Sequence, residues 1–339
     1  MKTLDIVSLG ECMVELYGEG SLSQSPTFHK SYAGDTMNMI SMASKLGLKC
    51  GYITNVGNDP FKDYLLDQWK SLNINLDCTQ IIDGFNAVHF TVLQNDNNRQ
   101  FVYYRKNSAA SKIDSKLIND DYLKRTKIFH TSSLTQCISD SARNAVDKFL
   151  HKSKSLGITT SFDTNFRSNI WSATDAKNAI LDVIEYIDIL SPSYPDEVNK
   201  IFELNTPLEM IKFGLSKGCK LVVVKCGEDG AYIGDSNKII YSKAITPKGL
   251  LDTTGAGDSF AGTFFGYLDK IGNEYTSDNI FIATVLATVV ASYTVEGFGV
   301  EALLKLDIDS IYERYEKYLK LIGQRTYISL DNLKSKLDI

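Results

Sequence analysis

The sequence predicts an α/β fold: a mainly parallel central sheet covered by helices, plus a small β-sheet lid. Two observations predict it. Short apolar runs alternate with segments of helical spacing from Ile6 to Lys225, the pattern of parallel strands joined by crossover helices. Between residues 86 and 106 the alternation breaks, and two strand-like segments follow one another directly.

The elements follow in order. Ile6-Val7-Ser8-Leu9-Gly10 is a short buried strand. Asp35 to Leu46 is a helix with Met37, Ile40, Ala43 and Leu46 on one face. Gly51 to Val56 is a strand, and Pro60 to Leu72 a helix with proline near its start. Asn86 to Gln94 and Arg99 to Arg105 form a hairpin around the turn signal Asn95-Asp96-Asn97-Asn98. Cys12 to Tyr17 and Phe28 to Tyr32 are candidates for further strands of that lid. Then come strand Lys127 to His130, helix Ser139 to Leu156, strand Thr159 to Asp163, helix Ala173 to Glu185, and strands Ile187 to Ser191 and Lys220 to Lys225. A last helical run begins at Phe260.

The 339 residues are 43% hydrophobic and 23% charged, with net charge −5. This composition fits a globular chain and argues against nucleic acid as the main partner. We expect a single domain over residues 1–325, with a lid from about 12–32 and 86–106, and a C-terminal tail at 326–339. Six cysteines form no CxxC pair and four histidines share no metal spacing, so they read as thiols of a reducing cytosol and structural imidazoles. The N-terminus lacks a signal peptide's apolar core. Ile280 to Tyr293 is too short to span a bilayer and reads as a buried helix. A cytoplasmic protein without membrane contact is expected.

The chemistry concentrates in Asp252-Thr253-Thr254-Gly255-Ala256-Gly257-Asp258. Small residues at a helix start offer converging N–H groups to an anion. A carboxylate there repels a phosphate unless its task is to take a proton from an attacking hydroxyl. That reading makes Asp258 a general base and Gly255, Ala256 and Gly257 the donors; an N-terminal helix aspartate acting only as a cap accounts for the same residue. Ala33-Gly34-Asp35-Thr36-Met37-Asn38 opens the first helix, with Asp35 and Asn38 one turn apart, suited to sugar hydroxyls or simply to capping. Asp163, Asn165 and Arg167 follow a strand, where ligands of open α/β sheets gather. Arg167 suits a phosphate or carboxylate. Tyr103 and Arg105 share one face of the second lid strand; they suit an acidic sugar or a protected sheet edge. The turn Lys225-Cys226-Gly227-Glu228-Asp229-Gly230 suits a ribose and phosphate, or an ordinary hairpin. The absence of GxxxxGK[ST], of GxGxxG after the first strand and of GxSxG disfavours P-loop kinases, dinucleotide oxidoreductases and hydrolases.

Together these residues resemble the ribokinase-like (PfkB) sugar kinases, from about Ile6 to Glu301. Asp252 to Asp258 is similar to the family's C-terminal signature, and Ala33-Gly34-Asp35 with Asn38 to its N-terminal substrate motif. Tyr103-Tyr104-Arg105-Lys106 and Asp163-Thr164-Asn165-Phe166-Arg167 are similar to segments of 2-keto-3-deoxygluconate kinases. The resemblance implies a ribokinase-like three-layer sandwich and phosphorylation of a sugar acid by ATP with Mg²⁺, a monovalent cation being left open. It implies Asp258 as base and Gly34, Tyr103, Arg105 and Arg167 at the sugar acid. It further implies Lys225, Gly227 and Gly230 on the nucleotide side, and Ala283 to Ala287 beside adenine. The family's Asn-x-x-Glu motif, tied to metal and phosphate, is replaced by Ser193-Tyr194-Pro195-Asp196 followed by Glu197, leaving both acids as candidates. A fructokinase or 5-dehydro-2-deoxygluconokinase of the same fold stays open, as does a non-catalytic sugar-acid-binding regulator. A homo-oligomer joined through the lid edges is expected.

Overall fold

A computed structural model of the chain describes residues 2–93, 99–272, 274–325 and 327–337. Its strands are β1 (Leu4–Leu9), β2 (Met13–Glu19), β3 (His29–Ala33), β4 (Cys50–Gly57), β5 (Thr79–Ile82), β6 (Val88–Leu93), β7 (Arg99–Tyr104), β8 (Thr126–Ser132), β9 (Thr159–Asp163), β10 (Ile189–Ser191), β11 (Leu221–Lys225), β12 (Ala231–Gly234) and β13 (Ile239–Ser242). The helices are α1 (Asp35–Lys45), α2 (Lys62–Ser71), α3 (Asp120–Lys124), α4 (Ser133–Gln136), α5 (Asp140–Ser155), α6 (Ala173–Val183), α7 (Asp196–Lys200), α8 (Pro207–Ser216), α9 (Ala256–Lys270), α10 (Ser277–Thr294), α11 (Gly299–Leu304), α12 (Ile308–Leu321) and α13 (Leu330–Leu337).

The large sheet runs β13-β12-β11-β10-β9-β8-β1-β4-β5. It is parallel from β11 to β5 and ends in the antiparallel pair β12 and β13. Alternate residues of each strand feed opposite faces. Ile6, Leu221 and Val223 pack against α1, α9 and α10 on one side. Val7, Leu9, Val222 and Val224 pack with residues of α5, α6 and α8 on the other. This is why the strands read as continuous apolar runs.

Helix ends follow local chemistry. Ser139 caps α5 by accepting from Ala142 N, and Thr206 with Glu209 forms a capping box ahead of Pro207 at α8. Among the described residues, α10 alone has the length and apolar content to cross a membrane. Here it packs on α9, and Ala283, Val285, Ala287 and Val289 are fully buried.

The lid is a four-stranded sheet in the order β3-β2-β6-β7. Both candidate strands therefore join the expected hairpin, with β2 pairing β6 in parallel. The expected turn at 95–98 lies outside the described residues. The segment set apart as a tail contributes α13, whose Leu333 and Leu337 are buried in the main core.

Candidate active site

The carboxyl ends of the parallel strands converge on one region, because every crossover returns to the same edge of the sheet. Glu11 follows β1, Asp163 ends β9, Ser193 follows β10 and Lys225 ends β11. Over them sit the starts of α1 and α9. Gly255 precedes α9 in the left-handed region, at φ 78°. One cleft is lined by Gly34, Asp35, Asn38, Tyr103, Arg105, Arg167, Thr254, Gly255 and Asp258. Residues more than 200 positions apart in the chain are thus brought together.

Asp258 stands in the first turn of α9 and accepts a hydrogen bond from Asn38 Nδ2 at 2.9 Å. Burial, then the Asp35 and Asp163 carboxylates, push its pKa up to about 7, against Asn38 and Lys225. An ordinary aspartate is a poor base at neutral pH; one titrating near 7 is matched to proton transfer. Asp35 accepts from Thr36 N at 2.8 Å and Asn165 Nδ2 at 3.0 Å, and burial raises its pKa as well.

Behind these lies an ion cluster. Lys225 Nζ pairs with Asp163 and sits against Gly257, where a methyl would come within 3.4 Å of the ammonium. Burial works against the Lys225 charge, but Asp163 and Glu197 outweigh it and raise its pKa. Glu197 is buried and accepts from Thr164 Oγ1, from Phe166 N at 2.7 Å and from Ser193 N at 2.7 Å. Asp196 faces solvent and pairs with Lys200 at 2.9 Å. Of the two acids considered at this position, the fold brings only Glu197 to the cluster. Ala256 N donates to Thr253 O at 3.3 Å, so that amide already has an acceptor within the loop.

Two expected placements differ. Ala283 and Ala287 are fully buried inside α10, so neither side chain has surface to offer adenine. Their helix is apolar on all sides, which hid its inner face from the periodicity. Arg105 is not a lone cation: its Nη2 stands 2.7 Å from Glu11 Oε2, and Ser108 Oγ donates to Glu11 at 3.1 Å. Neither Nη1 nor Nη2 of Arg105 makes an aligned hydrogen bond within the described residues, though both are buried. Burial raises the Glu11 pKa, against Arg105 and Ser108. Arg167 is exposed at the rim, and Tyr103 is half-buried between lid and core. Gly227 and Gly230 hold the β11–β12 turn at φ 56° and 100°.

Sequence reasoning missed Glu11 and His89. Glu11 directly follows the first buried strand, the position at which ligand-side residues gather. His89 pairs across the hairpin with Tyr103, so it shares that residue's face once the register is known.

With this geometry in place, the comparisons are direct. The chain matches the family described as pfkB family carbohydrate kinase over residues 3–303. It is 28% identical over 298 residues to a 2-dehydro-3-deoxygluconokinase of Thermoproteus tenax, covering 85% of this chain and 89% of that protein. It is 31% identical over 277 residues to "Probable fructokinase-5" of Arabidopsis thaliana, covering 79% and 84%. An E. coli protein provisionally named ribokinase II, solved with ATP and Mg²⁺, superposes with a TM-score of 0.80 at 25% identity, over 92% of this chain and 99% of that one. The protein belongs to the PfkB family of carbohydrate kinases and has the ribokinase-like fold.

Proposed function

We propose that this sugar kinase transfers the γ-phosphoryl group of ATP to the terminal hydroxyl of a sugar acid, 2-keto-3-deoxygluconate. The observation that carries the reading is the Asp258 carboxyl, tuned to about 7, in one cleft with Arg105 and Arg167. Asp258 takes the hydroxyl proton as the oxygen attacks the phosphorus in line. The Gly255 and Gly257 amides at the start of α9 and the Lys225 ammonium face the transferring charge. Arg105, Tyr103 and Arg167 hold the acid end, while Gly34, Asp35 and Asn38 meet the sugar chain. Among the described residues no three metal-ligating side chains converge. Mg²⁺ binds through nucleotide phosphates and water with one or two carboxylates, and the buried Asp163 and Glu197 beside Lys225 are of that kind. Asp163 and Glu197 are the acids that would hold it, and it would neutralise phosphate charge.

A second reading, fructokinase, has a specific observation behind it: Glu11 already offsets the Arg105 charge. A coupled ATP-consumption assay over sugars and sugar acids separates the two. Turnover is expected with the acid, and Arg105→Ala should raise its KM far more than that of fructose. Equal KM effects favour fructose. No ATP consumption with any sugar would sink both.

A further inference from the structure

The segment that follows β9 carries a residue that the steps above leave unused. Asn165 has φ 20°, at the edge of the left-handed region, where asparagine is tolerated and most side chains are strained. Its own N–H donates to Asp163 Oδ1 at 3.0 Å. Its neighbours are held by another acid: Thr164 Oγ1 and Phe166 N both donate to the buried Glu197. The backbone is thus gripped on both flanks, which aims the side chain. Asn165 Nδ2 donates to Asp35 Oδ2 at 3.0 Å across 130 residues of chain, and Asp35 Oδ1 accepts from Thr36 N at 2.8 Å. An ionised carboxylate only accepts, so the amide turns its NH₂ end toward Asp35. Asp35 lines the cleft, and Asn165, 6% exposed, stands behind it.

A buried carboxylate keeps its charge and its orientation only where donors face it. Each Asp35 oxygen has such a donor. A carboxylate offers about four acceptor sites, which leaves capacity for the hydroxyls of a ligand. We propose that Asn165 is a positioning residue for sugar recognition: it fixes the Asp35 carboxylate in the orientation that accepts from hydroxyls of the bound sugar. It does not serve the nucleotide. Phosphate oxygens need donors, and the donor end of this amide is turned to Asp35. The inference rests on the sugar-kinase reading and places on the sugar side a residue whose backbone belongs to the Asp163 cluster.

The test is steady-state kinetics of the intact protein with 2-keto-3-deoxygluconate and with fructose, beside calorimetric titration with each sugar and with a non-hydrolysable ATP analogue. Asn165→Gly suits the positive φ and deletes only the amide. It is expected to raise the KM and Kd of the sugar that is turned over by about tenfold, the loss of one hydrogen bond to a charged group. The ATP KM and the analogue Kd should stay within about twofold of wild type. Because Asn165 acts through Asp35, adding Asn165→Gly to Asp35→Ala should lower the sugar kcat/KM by less than about twofold more, a non-additive pair. A sugar KM of Asn165→Gly within about twofold of wild type overturns the proposal. So does an ATP KM that rises as much as the sugar KM, or a full loss that persists without Asp35. Should Asn165→Gly fail to fold, Asn165→Asp keeps the shape, tolerates the same φ and removes the donor. It must raise the sugar KM at least as much, and no rise overturns the proposal. A wild type that binds sugar but consumes no ATP defeats the kinase reading while leaving the sugar titrations of Asn165→Gly readable. A wild type that binds no sugar defeats both.

Discussion

The Asn38 side chain donates to Asp258 Oδ2 at 2.9 Å, tying the first turn of α1 to the first turn of α9 across 220 residues of chain. The bond favours the ionised carboxylate, as does Lys225, while burial, Asp35 and Asp163 oppose it. A base works deprotonated, so turnover should rise with pH through about 7. Asn38→Ala removes a donor to the charged form and should move that acid limb up by about one pH unit. The high-pH plateau is largely kept. The check is a kcat–pH profile of both proteins; a lowered plateau with an unmoved midpoint would make Asn38 a sugar contact only.

Asp258→Asn should abolish turnover yet stabilise the fold. Its amide oxygen can still accept from Asn38, while the desolvated charge is gone. A folded pKa raised to about 7, above the unfolded carboxyl's ~3.9, means that the group's stability is complete below ~4 and lost as pH rises through 7. The variant's melting temperature should therefore match wild type near pH 4 and exceed it by several degrees at pH 8. A gap that is constant with pH would rule out ionisation as its cause. Turnover should fall by about 10³-fold or more, with ATP still bound.

What the sequence made legible was whatever is local. The Leu221–Lys225 run is apolar because both faces are covered, and the glycines before Asp258 mark a close approach at a helix start. Asn38, Arg105 and Arg167 could be named as candidates, but their partners could not. Glu11 meets Arg105 only because β1 and the end of β7 meet in space, and no spacing in the chain records it. His89 looked like a scattered imidazole until the hairpin register paired it with Tyr103. Burial brings Glu197, not Asp196, to the Lys225 cluster, and adjacent residues in a short helix differ only in which way they face. Leu333 and Leu337 sit in a mostly polar segment, so the docking of α13 was invisible to composition.

The opposite end of the sheet carries a stability prediction. Lys127 bridges Asp5 at 2.7 Å and Asp269 at 2.9 Å, and the Asp269 side chain is 1% exposed. Removing the cation takes the opposite charge away from a buried carboxylate. Lys127→Met should cost about 2–3 kcal/mol in urea unfolding at pH 7, below the fully buried case because Lys127 is partly exposed. Asp269→Asn in that background should restore part of the loss, a non-additive pair. A loss under ~0.5 kcal/mol would class the bridge with surface ion pairs.

The two glycines of the β11–β12 turn separate ligand approach from folding. At Gly230, φ is +100° and a Cβ would stand 2.0 Å from Ser242 O. Alanine there must push β13 away, so Gly230→Ala should lower the melting temperature by several degrees and disturb everything the turn carries. At Gly227, φ is +56° and nothing lies within 4 Å of an added Cβ. The intrinsic strain of alanine there is only about 1–2 kcal/mol. The methyl points into open space beside Lys225, where the proposed nucleotide phosphates would lie. Gly227→Ala should therefore raise the ATP KM about five- to tenfold, roughly 1 kcal/mol or slightly more, while the sugar KM stays put. If both KM values are unchanged and only stability drops, the turn is a plain hairpin, and the nucleotide side of the cleft must be sought elsewhere along the β11 edge.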